Sequence, residues 1–176
     1  MSQMSRQKGR SWEWAVSRRV SLWWTGDASD SAFAPTAASG ASSLEYHQGD
    51  IAPVAHRADC LLRSYIIECK HIKAVSWPGF IYNTQLAKDG LHKYYQQALA
   101  ASERYGQRPI VVFRENFRPP MVMWSASTRL NWFDRMLVDG RRRPDNPMVT
   151  IRSYRFDELE SVLESSDPKK LMEQSK

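Results

Sequence analysis

The sequence predicts an α/β fold, with a mixed central β-sheet flanked by helices, in one domain of 176 residues. Three observations carry that expectation: amphipathic helical spacing near the N-terminus, β-favouring apolar runs after Leu61 and after Pro109, and a second helical stretch between those runs. The chain is long enough to bury a core without disulfide or metal staples. Its 42% hydrophobic and 25% charged residues are globular proportions. Cys60 and Cys69 are too few for a disulfide scaffold, and both are expected to stay reduced. No apolar run approaches the roughly 18 residues of a membrane span. The basic start MSQMSRQKGR lacks the apolar core of a signal peptide, so a cytoplasmic location with no membrane contact is expected. A net charge of +6 favours an anionic partner such as nucleic acid.

In SWEWAVSRRVSLWW, from Ser11, residues Trp12, Val16, Val20 and Trp23 recur at i, i+4, i+8 and i+11, which predicts an amphipathic helix. TGDASDSAFAPTAASGASS, from Thr25, is rich in small residues without periodicity and reads as a loop of a length that often has a function. Leu44 to Val54 and Leu61 to Lys70 are expected strands. A helix is expected over Gln85 to Tyr105, with Leu91, Tyr94, Ala98 and Tyr105 on one side and Gly106 as its C-terminal cap. PIVVFRE and MVMWSA read as strands joined by the turn NFRPP. Beyond this core of about residues 8–125 lies a C-terminal extension, 126–176. In it TRLNWFDRMLVDG suggests a short helix, RRRPDNP a basic turn and MVTIRSY a strand. The D-x-x-E of Asp157 and Glu160 suggests a capping pair opening a last helix, which Asp167-Pro168 should end.

The chemistry concentrates in GDIAPVAHRADCLLRSYIIECKH, residues 49–71. With a period of two, Leu62, Ser64, Ile66, Glu68 and Lys70 share a strand face, so Glu68 and Lys70 project together. A carboxylate beside an ammonium at the end of an apolar strand can hold a hard divalent cation while the ammonium orients a nucleophile or steadies a phosphate. Asp50, in the turn-like Gly49-Asp50, can supply a second carboxylate. A lone E-x-K is usually a salt bridge at a strand end. Glu13 raises its significance, because on a helical wheel it falls close to Val16, Val20 and Trp24 and so points to the core or to a metal rather than away from both.

These features, in this order, resemble the PD-(D/E)xK nuclease superfamily, and within it archaeal-type Holliday-junction resolvases and related phage nucleases. The residues that carry the resemblance are Lys8-Gly9-Arg10, Glu13, Ser39-Gly40, Gly49-Asp50-Ile51 and Ile67-Glu68-Cys69-Lys70, over about residues 8–113. Gly49 stands where the family's motif has Pro, and HIKAVSWPGFIYNTQ after the E-x-K is longer than the compact family pattern. The resemblance implies a restriction-endonuclease-like core and a Mg²⁺- or Mn²⁺-dependent endonuclease that hydrolyses DNA phosphodiesters. It implies that Asp50 and Glu68 ligate the metal, that Glu13 supports the metal or its water, and that Lys70 positions the attacking water and steadies the transition state. Ser39 would approach the DNA backbone, and Gln97 or Gln96, less readily Gln85, would be the helix glutamine that such folds often carry near the site. Junction or other branched DNA is the implied substrate. A junction offers two equivalent strands, so a twofold homodimer is expected.

Lys8 and Arg10, with Arg6, Arg18 and Arg19, crowd the first helix, and Arg141, Arg142 and Arg143 form a second basic run. Both suit phosphate contacts that read DNA shape, although Arg18 and Arg19 equally suit a solvated face. Cys60, Cys69, His47, His56 and His71 lack the C-x-x-C or H-x-x-x-H spacing of a zinc site. Asp59 is a less favoured substitute for Asp50, since HRAD reads as a turn. Most tryptophans read as core, with Trp77, beside Pro78-Gly79, the one expected to be exposed. Two other readings are a nuclease of the same fold used in restriction, repair or phage DNA processing, and a noncatalytic DNA-binding protein whose acidic cluster is only structural.

Overall fold

A computed structural model describes residues 3–36, 49–54, 65–82, 90–125, 149–151, 154–165 and 168. Helix α1, Gln3–Thr25, starts well before Ser11 and buries Trp12, Val16, Val20 and Trp24, the stripe its periodicity predicts with Trp24 in place of the half-buried Trp23. The Trp12 indole N–H donates to the Val112 carbonyl at 3.3 Å, so the ring is buried with its polar atom satisfied.

The stretch expected to be a loop contains a strand. β1, Phe33–Pro35, pairs antiparallel with β2, Ile51–Pro53. The buried Ser21 hydroxyl on α1 accepts from the Phe33 N–H at 3.0 Å and lies 3.3 Å from the Phe33 carbonyl, while the Phe33 ring packs edge-on against Trp24. Three residues are too few to show alternation, and here a helix side chain supplies the partners that fix the backbone.

The five described strands of the main sheet run in the order β3-β4-β5-β7-β6. β3, Tyr65–Ile72, and β4, Arg108–Glu115, are parallel and in register from Tyr65↔Arg108 to Ile72↔Glu115. Between them in sequence come a six-residue helix, α2, Trp77–Tyr82, which the sequence reading missed, and α3, Leu91–Tyr105. A parallel pair requires such a crossover. Tyr95 rather than Tyr94 joins Leu91 and Ala98 in the buried line of α3, and the helix closes on Gly106 at φ +67°, whose N–H donates to the Ser102 carbonyl. β5, Met121–Ser125, returns antiparallel to β4 through the expected NFRPP turn. β6, Val149–Ile151, and β7, Tyr154–Glu158, complete the sheet antiparallel, and α4, Leu159–Ser165, follows.

Both faces of the sheet are covered. Tyr65, Ile67, Cys69, Ile110, Val112, Val122 and Trp124 pack with α1 and α4, whereas Ile66, Val111, Phe113, Met123 and Phe156 pack with α2 and α3. Burial on both faces explains why Pro109 to Phe113 is an unbroken apolar run rather than an alternating one.

Two expectations are corrected. Trp77 is not free: it packs against Phe80, Phe113 and Phe156, and its indole N–H donates to Glu115 Oε1 at 3.1 Å; among the described tryptophans Trp14, 45% exposed, is the outward one. The Asp157–Glu160 pair does not form a capping box. Asp157 lies within β7 and accepts from the Glu158 N–H at 2.8 Å, the Leu159 N–H donates to the Pro120 carbonyl at 2.9 Å, and Glu160 pairs instead with Arg19 of α1 at 2.6 Å. Tertiary partners take the groups that local capping would have used.

Residues 154–162 put Tyr154, Phe156, Leu159 and Val162 into the core. Phe156 contacts the rings of Trp77, Phe80 and Phe113 and is 2% exposed. Phe156→Ala is expected to cost about 3–5 kcal/mol, read as a lower urea midpoint with unchanged slope. A loss below about 1 kcal/mol would show that this strand is not part of the cooperative core. Among the described residues, no helix is long and apolar enough to cross a membrane.

Candidate active site

Among the described strands β3 is at one edge of the main sheet, and Asp50, just before β2, lies along its outer side. The Asp50 N–H donates to the Ile67 carbonyl at 2.9 Å, the Asp50 carbonyl accepts from the Thr36 N–H at 3.0 Å, and Asp50 Oδ2 accepts from the Cys69 N–H at 2.7 Å. The outer edge of β3 thereby fixes a carboxylate through its own backbone amide.

Glu68 and Lys70 share their strand face with Ile66, the α3 side, as the alternation requires. Lys70 Nζ pairs with Glu68 Oε1 and lies 3.7 Å from Asp50 Oδ2, so both carboxylates meet on one ammonium. On its other side the ammonium lies 5.5 Å from the centre of the Tyr94 ring, in the first turn of α3, a cation–π distance. Glu13 is half-buried on α1, one residue from the anchored Trp12, at the margin of the apolar stripe.

The charges on these groups are coupled. Burial, then repulsion from Asp50, hold the Glu68 carboxyl above the ordinary glutamate range, with Lys70 working against both. Burial also raises Glu13, as do Asp50 and Glu68, against the pull of Lys70 and Arg10. Burial disfavours the Lys70 ammonium, but the negative charges of Asp50 and Glu68 outweigh that penalty and its pKa is raised. Asp50 raises the proton affinity of both Glu68 and Glu13, and a set of oxygen-only donors with that repulsion built in fits a hard divalent cation. In this arrangement the ammonium supplies the neutralising charge, and among the described residues no three His, Cys, Asp or Glu side chains are already gathered as a ligand set.

The strand ends gather positive charge as well. Trp12 touches the His71 ring and lies 6.0 Å from the Arg114 guanidinium carbon, which places the middle of α1 at the C-terminal ends of β3 and β4 and its first turns before that point. Lys8 and Arg10 are on those turns, both exposed. Arg18 is exposed, while Arg19 is committed to Glu160. Gln97 is exposed on α3, three residues on from Tyr94; Gln96 is exposed as well and lies on the side of α3 near the Tyr154 hydroxyl of β7, which is 2.7 Å from His92 Nδ1. Cys69 points to the opposite face, fully packed among the α1-side core, and burial pushes its thiol well up. Ser39, Arg141, Arg142 and Arg143 lie outside the described residues, as do His47, His56, Asp59, Cys60 and Gln85.

Sequence reasoning missed two parts of the site. Tyr94 was visible only as one more apolar position of a helical stripe. The Cys69 amide that holds Asp50 leaves no trace in residue identity.

A family model described as phage putative PDDEXK endonuclease matches residues 4–137, a span that takes in Glu13, Asp50, Glu68, Lys70 and the elements from α1 to β5. The α/β architecture is that of a restriction-endonuclease-like core. No curated protein and no solved structure gives a match.

Proposed function

This chain belongs to the phage putative PDDEXK endonuclease family, and on that premise we propose that it is a DNA endonuclease dependent on Mg²⁺ or Mn²⁺, with its site at the Asp50–Glu68–Lys70 edge of β3. The observation that carries the reading is the meeting of Asp50 and Glu68 on Lys70 at the end of an apolar edge strand, with Glu13 electrostatically coupled to all three. In this reading Asp50 and Glu68 hold the cation and Glu13 holds its water. The bound cation supplies Lewis-acid activation of the phosphate and of the nucleophile.

The chain's own groups do the rest. The Cys69 amide keeps the Asp50 carboxylate aimed outward. With a cation held by Asp50 and Glu68, the Lys70 ammonium would be free to orient a water in line with the phosphorus and to meet the charge that grows on the phosphoryl oxygens as the ester bond breaks. The Tyr94 ring face keeps that ammonium in reach when its carboxylate partners are engaged elsewhere.

Branched DNA, cut by a twofold dimer, is the proposed substrate, supported by the order of the basic start, Glu13, Asp50 and E-x-K in the sequence. The comparison that tests it is cleavage of a four-way junction against a linear duplex of the same arm sequence. Preference for the junction supports the reading; equal cleavage of both would place the same chemistry in restriction, repair or phage DNA processing. Binding by Lys8, Arg10 and Arg141 to Arg143 should release counterions, so affinity is expected to fall roughly 10-fold or more between 50 and 200 mM salt. A titration with no salt dependence would remove these residues from the DNA interface.

A further inference from the structure

We propose that Phe117, at the tip of the β4–β5 turn, is a wedge that stacks on a base of bound DNA and favours sites where a base step is mismatched, unpaired or branched. The inference rests on the nuclease reading above and adds a substrate-contacting residue to it.

Phe117 is 100% exposed and adopts φ +61°, the one positive-φ non-glycine position among the described residues. The left-handed region is costly for a bulky side chain, and the third position of a turn that requires it ordinarily holds Gly or Asn. Single exposed apolar residues are common and mean little by themselves. Here, however, an unfavourable backbone conformation carries the largest possible exposure of an aromatic ring, a combination that belongs to functional sites.

The tip is also firmly built. The Arg118 N–H donates to the Glu115 carbonyl at 3.3 Å, closing the turn. The Glu115 carboxylate accepts from the Val75 N–H at 3.0 Å and from the Trp77 indole at 3.1 Å. Asn116 Oδ1 and His71 Nε2 lie 3.1 Å apart, which ties the turn to β3 one residue after Lys70. Pro119 and Pro120 stiffen the exit.

Position and charge identify the ligand. Lys70 is in register with Phe113, so the Phe117 backbone lies at most four strand residues, about 13 Å at about 3.3 Å each, beyond the Lys70 backbone along the strand direction. Bases along one strand are spaced about 3.4 Å apart, so that rise corresponds to about four nucleotides and the turn is at the same end of the sheet as Lys70. Arg118, exposed and next in the chain, and Arg114, exposed near the end of β4 with its guanidinium carbon 6.0 Å from the centre of the Trp12 ring, suit phosphates of a bound strand. An aromatic tip on a cationic edge matches the side chains that enter and part base steps.

The test uses the full chain in EDTA, where binding is read without cleavage, and two duplexes that differ only in one mismatched 2-aminopurine. Wild type is expected to bind the mismatched duplex more tightly and to raise the 2-aminopurine fluorescence. Phe117→Ala is expected to weaken that binding roughly 5- to 100-fold and to abolish the fluorescence rise. Phe117→Trp should restore both. Hydrolysis of bis(p-nitrophenyl) phosphate with Mn²⁺ should be equal in wild type and F117A, since a wedge has no role on a substrate without bases. Equal binding and fluorescence for wild type and F117A on the mismatched duplex would overturn the wedge while leaving the nuclease reading intact. A parallel fall in bis(p-nitrophenyl) phosphate hydrolysis, or a change in sedimentation with unchanged DNA signals, would overturn it in favour of a structural or protein-contact role. Wild type that binds neither duplex in EDTA and cuts neither in Mg²⁺ would overturn the nuclease reading, and the wedge with it.

Discussion

Asp50→Asn is expected to lower the rate of DNA cleavage by roughly 10²-fold or more while leaving the protein folded and able to bind DNA. The amide keeps the shape of the carboxylate, and its oxygen can still accept the Cys69 N–H that anchors the loop to β3. What it removes is one of two full negative charges that converge on Lys70. DNA binding should survive or tighten, since an uncompensated acid facing a phosphate is unfavourable. The substitution also has a signature that needs no cleavage. Asp50 raises the proton affinity of both Glu68 and Glu13, so its neutralisation should bring both carboxyls down toward the ordinary range, and it should lower the Lys70 pKa, which the Asp50 charge holds up. Titration of the metal-free protein by NMR reads these directions; an unmoved Glu68 would show that the carboxylates are not in one electrostatic unit.

Lys70→Ala carries the second large effect, about 10²- to 10³-fold in cleavage rate, for a different reason. Removing the ammonium frees Glu68 and Asp50 from their built-in counter-ion, so the variant should bind Mn²⁺ at least as tightly as wild type. Raising Mg²⁺ should therefore not restore its rate, because the missing element is water orientation and charge stabilisation at the phosphate. Recovery of the wild-type rate at high Mg²⁺ would instead make Lys70 a structural partner of the acids. Together the two variants separate loss of cation holding from loss of transition-state stabilisation.

Much of this site could be read from the sequence because it rests on parity and periodicity. The period of two in Tyr65 to Ile72 puts Glu68 beside Lys70, and the helical wheel brings Glu13 to the margin of the Trp12–Val16–Val20 stripe; both are properties of regular backbone. The strand–helix–strand order of β3, α3 and β4 and the Gly106 cap were legible for the same reason, while the parallel pairing of the two strands was not. What escaped depends on partners distant in sequence. β1 is held by Ser21, Glu160 leaves the helix it was expected to cap for Arg19, and Trp77 finds Phe156 and Glu115 across 79 and 38 residues of chain. Tyr94 gains its place from the ammonium opposite it, and the edge position of β3, which makes Asp50 possible, is a property of the whole sheet.

The most direct measurement is single-turnover cleavage of an end-labelled DNA by wild type in Mg²⁺, by wild type in EDTA and by Glu68→Gln in Mg²⁺. Glu68 pairs with Lys70 and feels Asp50 and carries no other role in the sheet than that of its strand backbone. Product in the first reaction, with none in the second and at least a 10²-fold slower rate in the third, is the predicted result. Product formed in EDTA, or formed by Glu68→Gln at the wild-type rate, would contradict metal-dependent hydrolysis at the β3 edge.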